Sequence, residues 1–225
     1  MNKYIIECEN VTKEIKKQCV INNIDLKLSA GRIIGFKGIN GAGKTMLMRL
    51  IAGLIRPTTG HITICGKRLG RDITFPESIG ILLEAPAFLD AYSGFQNLRM
   101  LASIKGKIND ETIKKTIQLV GLDPSSKKKY KKYSLGMKQR LGIAAAIMES
   151  PDIVILDEPT NSLDSDGVEI VKKIIKQEKE RGALVIISCH DISILKNMSD
   201  EIYILDKGRI TNHIVTADKG EWVSL

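Results

Sequence analysis

One eight-residue segment limits what this chain can fold into. Gly38-Ile39-Asn40-Gly41-Ala42-Gly43-Lys44-Thr45 follows an apolar run at 32–36 and precedes an amphipathic one, and it has the spacing G-x-x-x-x-G-K-[ST]. Between a strand and a helix, such a loop lets consecutive backbone N–H groups converge on phosphate oxygens. The positive end of the following helix adds its field, Lys44 reaches the outer phosphates, and the Thr45 hydroxyl can ligate Mg²⁺. With glycine near 7% of residues, a chance match in a chain of this length is on the order of one in a hundred, before the flanking strand and helix are required. The segment therefore predicts an α/β fold with a mostly parallel, buried sheet.

The rest of the chain agrees. Short β-branched runs at 32–36, 61–64, 79–83, 153–156, 184–188 and 201–205 alternate with longer amphipathic ones. One helix should start at Lys44 or Thr45 and stop before Pro57, and another should span about 168–181 and end at Gly182. From about 85 to 149 the strand signal gives way to helix signals, with a start at Asn109 or Asp110 and a stop at Gly121. This reads as a helical lobe inserted into one unit formed by about 1–84 and 150–225. Alternation near both termini, as in Ile24-Asp25-Leu26-Lys27-Leu28, predicts an antiparallel sheet beside the parallel one.

Ile153-Val154-Ile155-Leu156 ends in two adjacent acids. Strand ends in such sheets face the ligand crevice. Asp157 is placed to hold Mg²⁺ through water, and Glu158 to orient or deprotonate an attacking water. Composition removes other classes. No apolar stretch approaches the ~18–20 residues of a membrane span; the longest, at 141–148, is broken by Gly142 and flanked by Arg140 and Glu149. Glu7 and Glu9 come too early for a secretory leader, so the expected location is cytosolic. Cysteines 8, 19, 65 and 189 form no CxxC pair and read as reduced thiols.

With these residues in order, the chain resembles the nucleotide-binding subunits of ABC transporters over nearly its whole length. Ser134-Leu135-Gly136-Met137-Lys138-Gln139-Arg140 looks like that family's signature motif, at the start of a helix that feeds the Asp157 strand. The resemblance implies a P-loop NTPase fold with an N-terminal antiparallel β portion and an α-helical insertion, and ATP with Mg²⁺ as cofactors. It implies that Ser134 and Gly136 bind the γ-phosphate of ATP held on a second ATPase subunit, and that Asp164 of Ser162-Leu163-Asp164 contacts that subunit. It also implies that His190 touches the γ-phosphate and fixes Glu158, and that Gly38, Asn40, Gly41, Ala42, Gly43, Lys44 and Thr45 hold the phosphates. Partners would be integral membrane permease subunits, at the cytoplasmic face of the membrane.

Three departures sharpen the resemblance. Glu84 stands where many members have a glutamine that joins Mg²⁺; an acid still coordinates the metal but adds negative charge. Glu84 and the Leu135 and Met137 variants resemble the bacitracin-resistance and lantibiotic-immunity exporters. Ile15 takes the place of the aromatic that normally stacks on adenine, so base discrimination should weaken.

The alternatives are a soluble ABC clamp on nucleic acid or ribosomes, and a P-loop kinase or GTP switch. The first lacks its usual coiled coils or second ATPase domain, and the second leaves 134–140 and His190 unexplained. The chain carries 34 basic against 26 acidic residues, net +8. Five of the excess charges lie in the single run Lys127-Lys128-Lys129-Tyr130-Lys131-Lys132, which reads as a solvated face. A nucleic-acid partner is thus disfavoured.

Overall fold

A computed structural model of the chain describes residues 5–216 and 222–224. In chain order the elements are β1 (Ile6–Ile15), β2 (Gln18–Leu28), β3 (Ile33–Lys37), α1 (Lys44–Ile51), β4 (Thr59–Ile64), β5 (Lys67–Arg68) and β6 (Ile79–Leu82). Then follow α2 (Gly94–Lys105), α3 (Asp110–Leu119), α4 (Leu135–Ile147), β7 (Ile153–Leu156) and α5 (Ser165–Glu180), and finally β8 (Leu184–Cys189), α6 (Ile192–Lys196), β9 (Glu201–Asp206), β10 (Arg209–Thr216) and β11 (Trp222–Ser224).

The central sheet has the order β11-β10-β9-β3-β8-β7-β6, and β9, β3, β8, β7 and β6 run parallel. Its middle strands are apolar at nearly every position because both faces are covered. Successive side chains alternate between the two cores. Val154, Leu156, Val185 and Ile187 pack with the helices α2 to α5. Ile153, Ile155, Leu184 and Ile186 pack with α1 and the N-terminal strands.

Those N-terminal strands form a second, antiparallel sheet in the order β2-β1-β4-β5. Two sequence expectations are refined here. The run at 61–64 belongs to this sheet, paired antiparallel with β1, because its alternate residues are only half-buried and one face stays open. The C-terminal strands do not build a sheet of their own; β10 and β11 extend the central sheet antiparallel from β9.

Between β6 and β7 the described chain is helical. α2 begins with a capping box in which Ser93 accepts from the Gln96 N–H while the Gln96 side chain accepts from the Ser93 N–H. Asn109 caps α3 and Ser134 caps α4 through side-chain bonds to the third residue of each helix. α4 lies directly on β6. A Cβ built at Gly80 would sit 1.7 Å from the Ala146 carbonyl oxygen, so the glycine permits the close approach of the last turn of α4 to β6.

Candidate nucleotide and catalytic site

Three parallel strands end side by side at one edge of the central sheet. β3 runs into the loop 38–43, β7 into Asp157 and Glu158, and β8 into His190. Gly41 and Gly43 take left-handed φ values of 81° and 106°. α1 then starts at Lys44 with no side-chain cap and no acid in its first turn, leaving its N–H groups and its dipole facing the loop. A cavity of about 420 Å³ opens there, lined by residues 39–46 together with Glu158 and Lys207.

Lys44 is buried at 5% exposure, its Nζ donating to the Gly38 carbonyl at 2.7 Å and lying 3.5 Å from His190 Nδ1. These bonds substitute inside the protein for those a phosphate would accept. His190 Nδ1 also lies 3.1 Å from the Gly38 carbonyl, while its Nε2 faces Glu158 Oε1. Each ring nitrogen thus meets an acceptor, and whichever carries the proton has a partner.

Asp157 is buried between two hydroxyls: Oδ2 accepts from Thr45 Oγ1, and Oδ1 accepts from Ser188 Oγ. Ser188 in turn accepts from the Glu158 N–H at 2.9 Å. Glu158 has a left-handed backbone, φ 49°; its carbonyl accepts from Gln139 Nε2 at 3.2 Å and its Oε2 from the Asn161 amide. Thr45, Asp157, Glu158, Asn161 and Glu84 share a second cavity of about 370 Å³. Among the described residues no group of three or more His, Cys, Asp or Glu forms a metal cage. A hydroxyl and a carboxylate oxygen already in contact are nevertheless the hard, sparse donor set that suits Mg²⁺, which keeps most of its waters.

Glu84 enters that cavity from a strained backbone, φ 61°, and is ion-paired with Arg49 at 2.6 Å. The extra negative charge expected from the sequence is therefore matched by a cation on α1. Ser134 and Gly136 are not brought to the phosphate loop of the same chain. They line a separate cavity of about 810 Å³ with Arg140 and residues 162–164. Asp164 caps α5 through the Gly167 N–H at 2.8 Å and pairs with Arg140 at 2.9 Å. The Gly167 N–H, with Arg140 beside it, holds the Asp164 carboxyl below the usual carboxylate range.

Ile15 stands apart. It closes the β1–β2 hairpin opposite Gln18, is 40% exposed, and does not line the phosphate-loop cavity, whose far wall is Gln18, Cys19 and Val20. In the lysine run Tyr130 is buried, with its hydroxyl on the Pro86 carbonyl, while the five lysines stay exposed.

Sequence reasoning passed over Ser188, Arg49, Gln139 and Asn161. Ser188 had a visible signal, a lone hydroxyl closing an otherwise apolar strand, and Arg49 lies one helical turn beyond Thr45. Gln139 had none, because it meets Glu158 only in three dimensions, whereas Asn161 stands three residues after Glu158 and a tight bend brings the two together.

Comparison with known proteins decides the family. A profile described as ABC transporter matches residues 21–161, more than half of the chain. The chain belongs to the ABC transporter family, as an ATP-binding subunit.

This ABC subunit is 47% identical over 206 residues to the ABC transporter ATP-binding protein YybJ of Bacillus subtilis, covering 92% of the chain and 94% of the relative. It is 37% identical to the bacitracin transport ATP-binding protein BcrA of Enterococcus faecalis, over 94% of the chain and 70% of BcrA. It is 34% identical to the lantibiotic transport ATP-binding protein SrtF of Streptococcus pyogenes, over 92% of the chain and 89% of SrtF. A solved ATP-binding subunit of an ABC transporter superposes with TM-score 0.85 at 25% identity, covering 94% of the chain and 90% of that structure. The ABC subunit is an ATPase, and none of its described helices is long and apolar enough to cross a membrane.

Proposed function

We propose that this ATPase drives a bacterial exporter of antimicrobial peptides or related drugs, working as a pair of ATPase subunits beneath separate membrane permeases. The observation that carries the reading is the convergence of Lys44, Thr45, Asp157, Glu158 and His190 on one sheet edge. The peptide-antibiotic transport named in two relatives supports the cargo class, and none of the described helices is long and apolar enough to cross a membrane.

The loop N–H groups and Lys44 bind and orient the phosphates, and Lys44 exchanges its bond to Gly38 for one to the ligand. Thr45 and Asp157, with Glu84 alongside, would hold Mg²⁺, which when bound neutralises phosphate charge. Glu158 orients a water in line with the γ-phosphate and takes its proton, and His190 keeps the carboxylate in place. Ser134 and Gly136, open to solvent beside their own cavity, serve the γ-phosphate of a second subunit, so that two sites close together. Asp164 faces that partner on a rigid helix cap.

Removing a donor such as Lys44 raises the barrier by ~2.7–4 kcal/mol and losing a general base costs ~100-fold or more, so Lys44→Ala or Glu158→Gln lowers turnover ~100-fold or more. A strain lacking this chain becomes more sensitive to peptide antibiotics. The wild-type chain restores resistance and Glu158→Gln does not. Near-wild-type turnover by Glu158→Gln, or unchanged sensitivity of the deletion strain, would overturn the assignment.

A further inference from the structure

The Glu158 carboxylate is gripped from two sides. His190 Nε2 faces one oxygen and the Asn161 side-chain amide donates to the other. The amide is delivered by a tight bend: the Asn161 N–H bonds back to the Glu158 carbonyl at 3.1 Å, and the Leu163 N–H to the Thr160 carbonyl at 3.4 Å. Beyond it Ser162 is left-handed, φ 63°, and Asp164 anchors the segment to α5 and to Arg140. On the other side Gln139, buried in α4, fixes the Glu158 carbonyl. Both ends of the 158–164 segment are therefore held, and the Asn161 amide meets Oε2 with little freedom left to lose. An ionised carboxylate has about four acceptor positions, so two donors leave room for a water.

We propose that Asn161 is a positioning residue for ATP hydrolysis: its amide fixes Oε2 of Glu158, so that the carboxylate presents its remaining lone pairs in one direction. The inference rests on the reading of Glu158 as the group that orients the attacking water. Asn161 lines the cavity of Thr45, Asp157 and Glu84 but not the phosphate-loop cavity, so its effect is expected in the chemical step more than in nucleotide affinity.

The test is steady-state ATP turnover by the purified chain, with nucleotide affinity and thermal midpoint measured alongside. Misplacement of a reacting group by ~1 Å costs up to ~100-fold, and His190 still holds Oε1, so Asn161→Ala lowers kcat about 5–20-fold with KM within about twofold. Asn161→Asp keeps the shape but turns the donor into an anion facing Glu158, and it is more damaging than alanine. A role in loop shape alone would leave it near wild type. In a Glu158→Gln background Asn161→Ala causes no further loss, because the two residues act as one unit. The exposed side chain leaves the midpoint of all variants unchanged.

The proposal is overturned if Asn161→Ala retains kcat within twofold, if Asn161→Asp matches wild type, or if the alanine effect multiplies in full onto Glu158→Gln. Near-wild-type turnover by Glu158→Gln alone sinks the reading of Glu158 itself, whereas an inactive Glu158→Gln beside a fully active Asn161→Ala sinks only the present inference.

Discussion

Removing one buried hydroxyl should disturb both stability and metal dependence. Ser188 is completely buried, and its Oγ accepts from the Glu158 N–H at 2.9 Å while donating to Asp157 Oδ1. Ser188→Ala leaves a buried N–H and one carboxylate oxygen short of a partner. An unsatisfied donor costs ~1–3 kcal/mol and a lost bond to a charged group ~1.5–3 kcal/mol, and the site relaxes partly, so a total of about 2–4 kcal/mol is expected. At ~2–4 °C per kcal/mol for a chain of this size, the thermal midpoint falls by about 4–16 °C. Asp157 keeps its bond to Thr45 but loses the hydroxyl that orients the rest of the carboxylate. Loss of such an outer partner typically weakens metal binding ~10–100-fold. The Mg²⁺ concentration for half-maximal turnover should rise accordingly, with ATP affinity in the absence of metal unchanged. Calorimetry and a Mg²⁺ titration of ATPase rate measure the two effects. A midpoint within a degree of wild type would refute the hydrogen-bond accounting. A lowered midpoint with an unchanged Mg²⁺ requirement would confine Ser188 to stability and remove Asp157 as the metal ligand.

Asp164→Asn preserves the helix cap, since the two residues cap equally well, and removes only the charge. The folded carboxyl titrates below its unfolded value, so its contribution is present above about pH 4 and is lost as pH falls through the folded value. Urea midpoints should therefore drop less steeply for Asp164→Asn than for wild type below about pH 4, and equal slopes would contradict the cap-and-Arg140 account. Burial pushes the Cys8 thiol up to about 12, so a disulfide reagent at pH 8 should label exposed Cys19 rapidly and Cys8 only on unfolding; equal rates would show that β1 opens freely. Gly80→Ala drives a Cβ into the Ala146 carbonyl and should destabilise by at least the ~1–3 kcal/mol of ordinary overpacking. Gly142→Ala, which meets only side-chain atoms of Leu82 and Pro86, should cost less; the reverse order in denaturant midpoints would refute the close-approach reading.

What could be read from the sequence was whatever is local in it. The phosphate loop, the 153–156 strand with its acids, the Asn109 and Ser134 caps and the Gly182 stop are set by neighbours in the chain, and each was expected where it is found. Sheet membership is not local. A half-buried strand such as β4 has the same short β-branched pattern whichever sheet it joins, and only its pairing with β1 places it in the second one. The Arg49 partner of Glu84 and the Gln139 contact of Glu158 arise from folding distant segments together, whereas Asn161, three residues beyond Glu158, reaches it through a local bend that residue types alone do not announce. For Ile15, hairpin closure at Lys16 and Lys17, both left-handed, decides where the side chain goes.

The pairing of strands acts as a ruler for the chemistry. Lys37 stands opposite Cys189, so β3 and β8 end level, while Leu156 stands opposite Ile187 and β7 ends two residues earlier. Gly38 and His190 follow that level pair and Asp157 follows beside Ser188, so the lateral steps between these groups are the ~4.8 Å steps between neighbouring strands. Because a one-residue slip turns every side chain to the other face, an insertion within these strands moves the reacting groups and inverts both cores at once. Insertions are therefore expected to be tolerated best in segments between elements such as 70–78 and 106–109, and least within β3, β7 and β8.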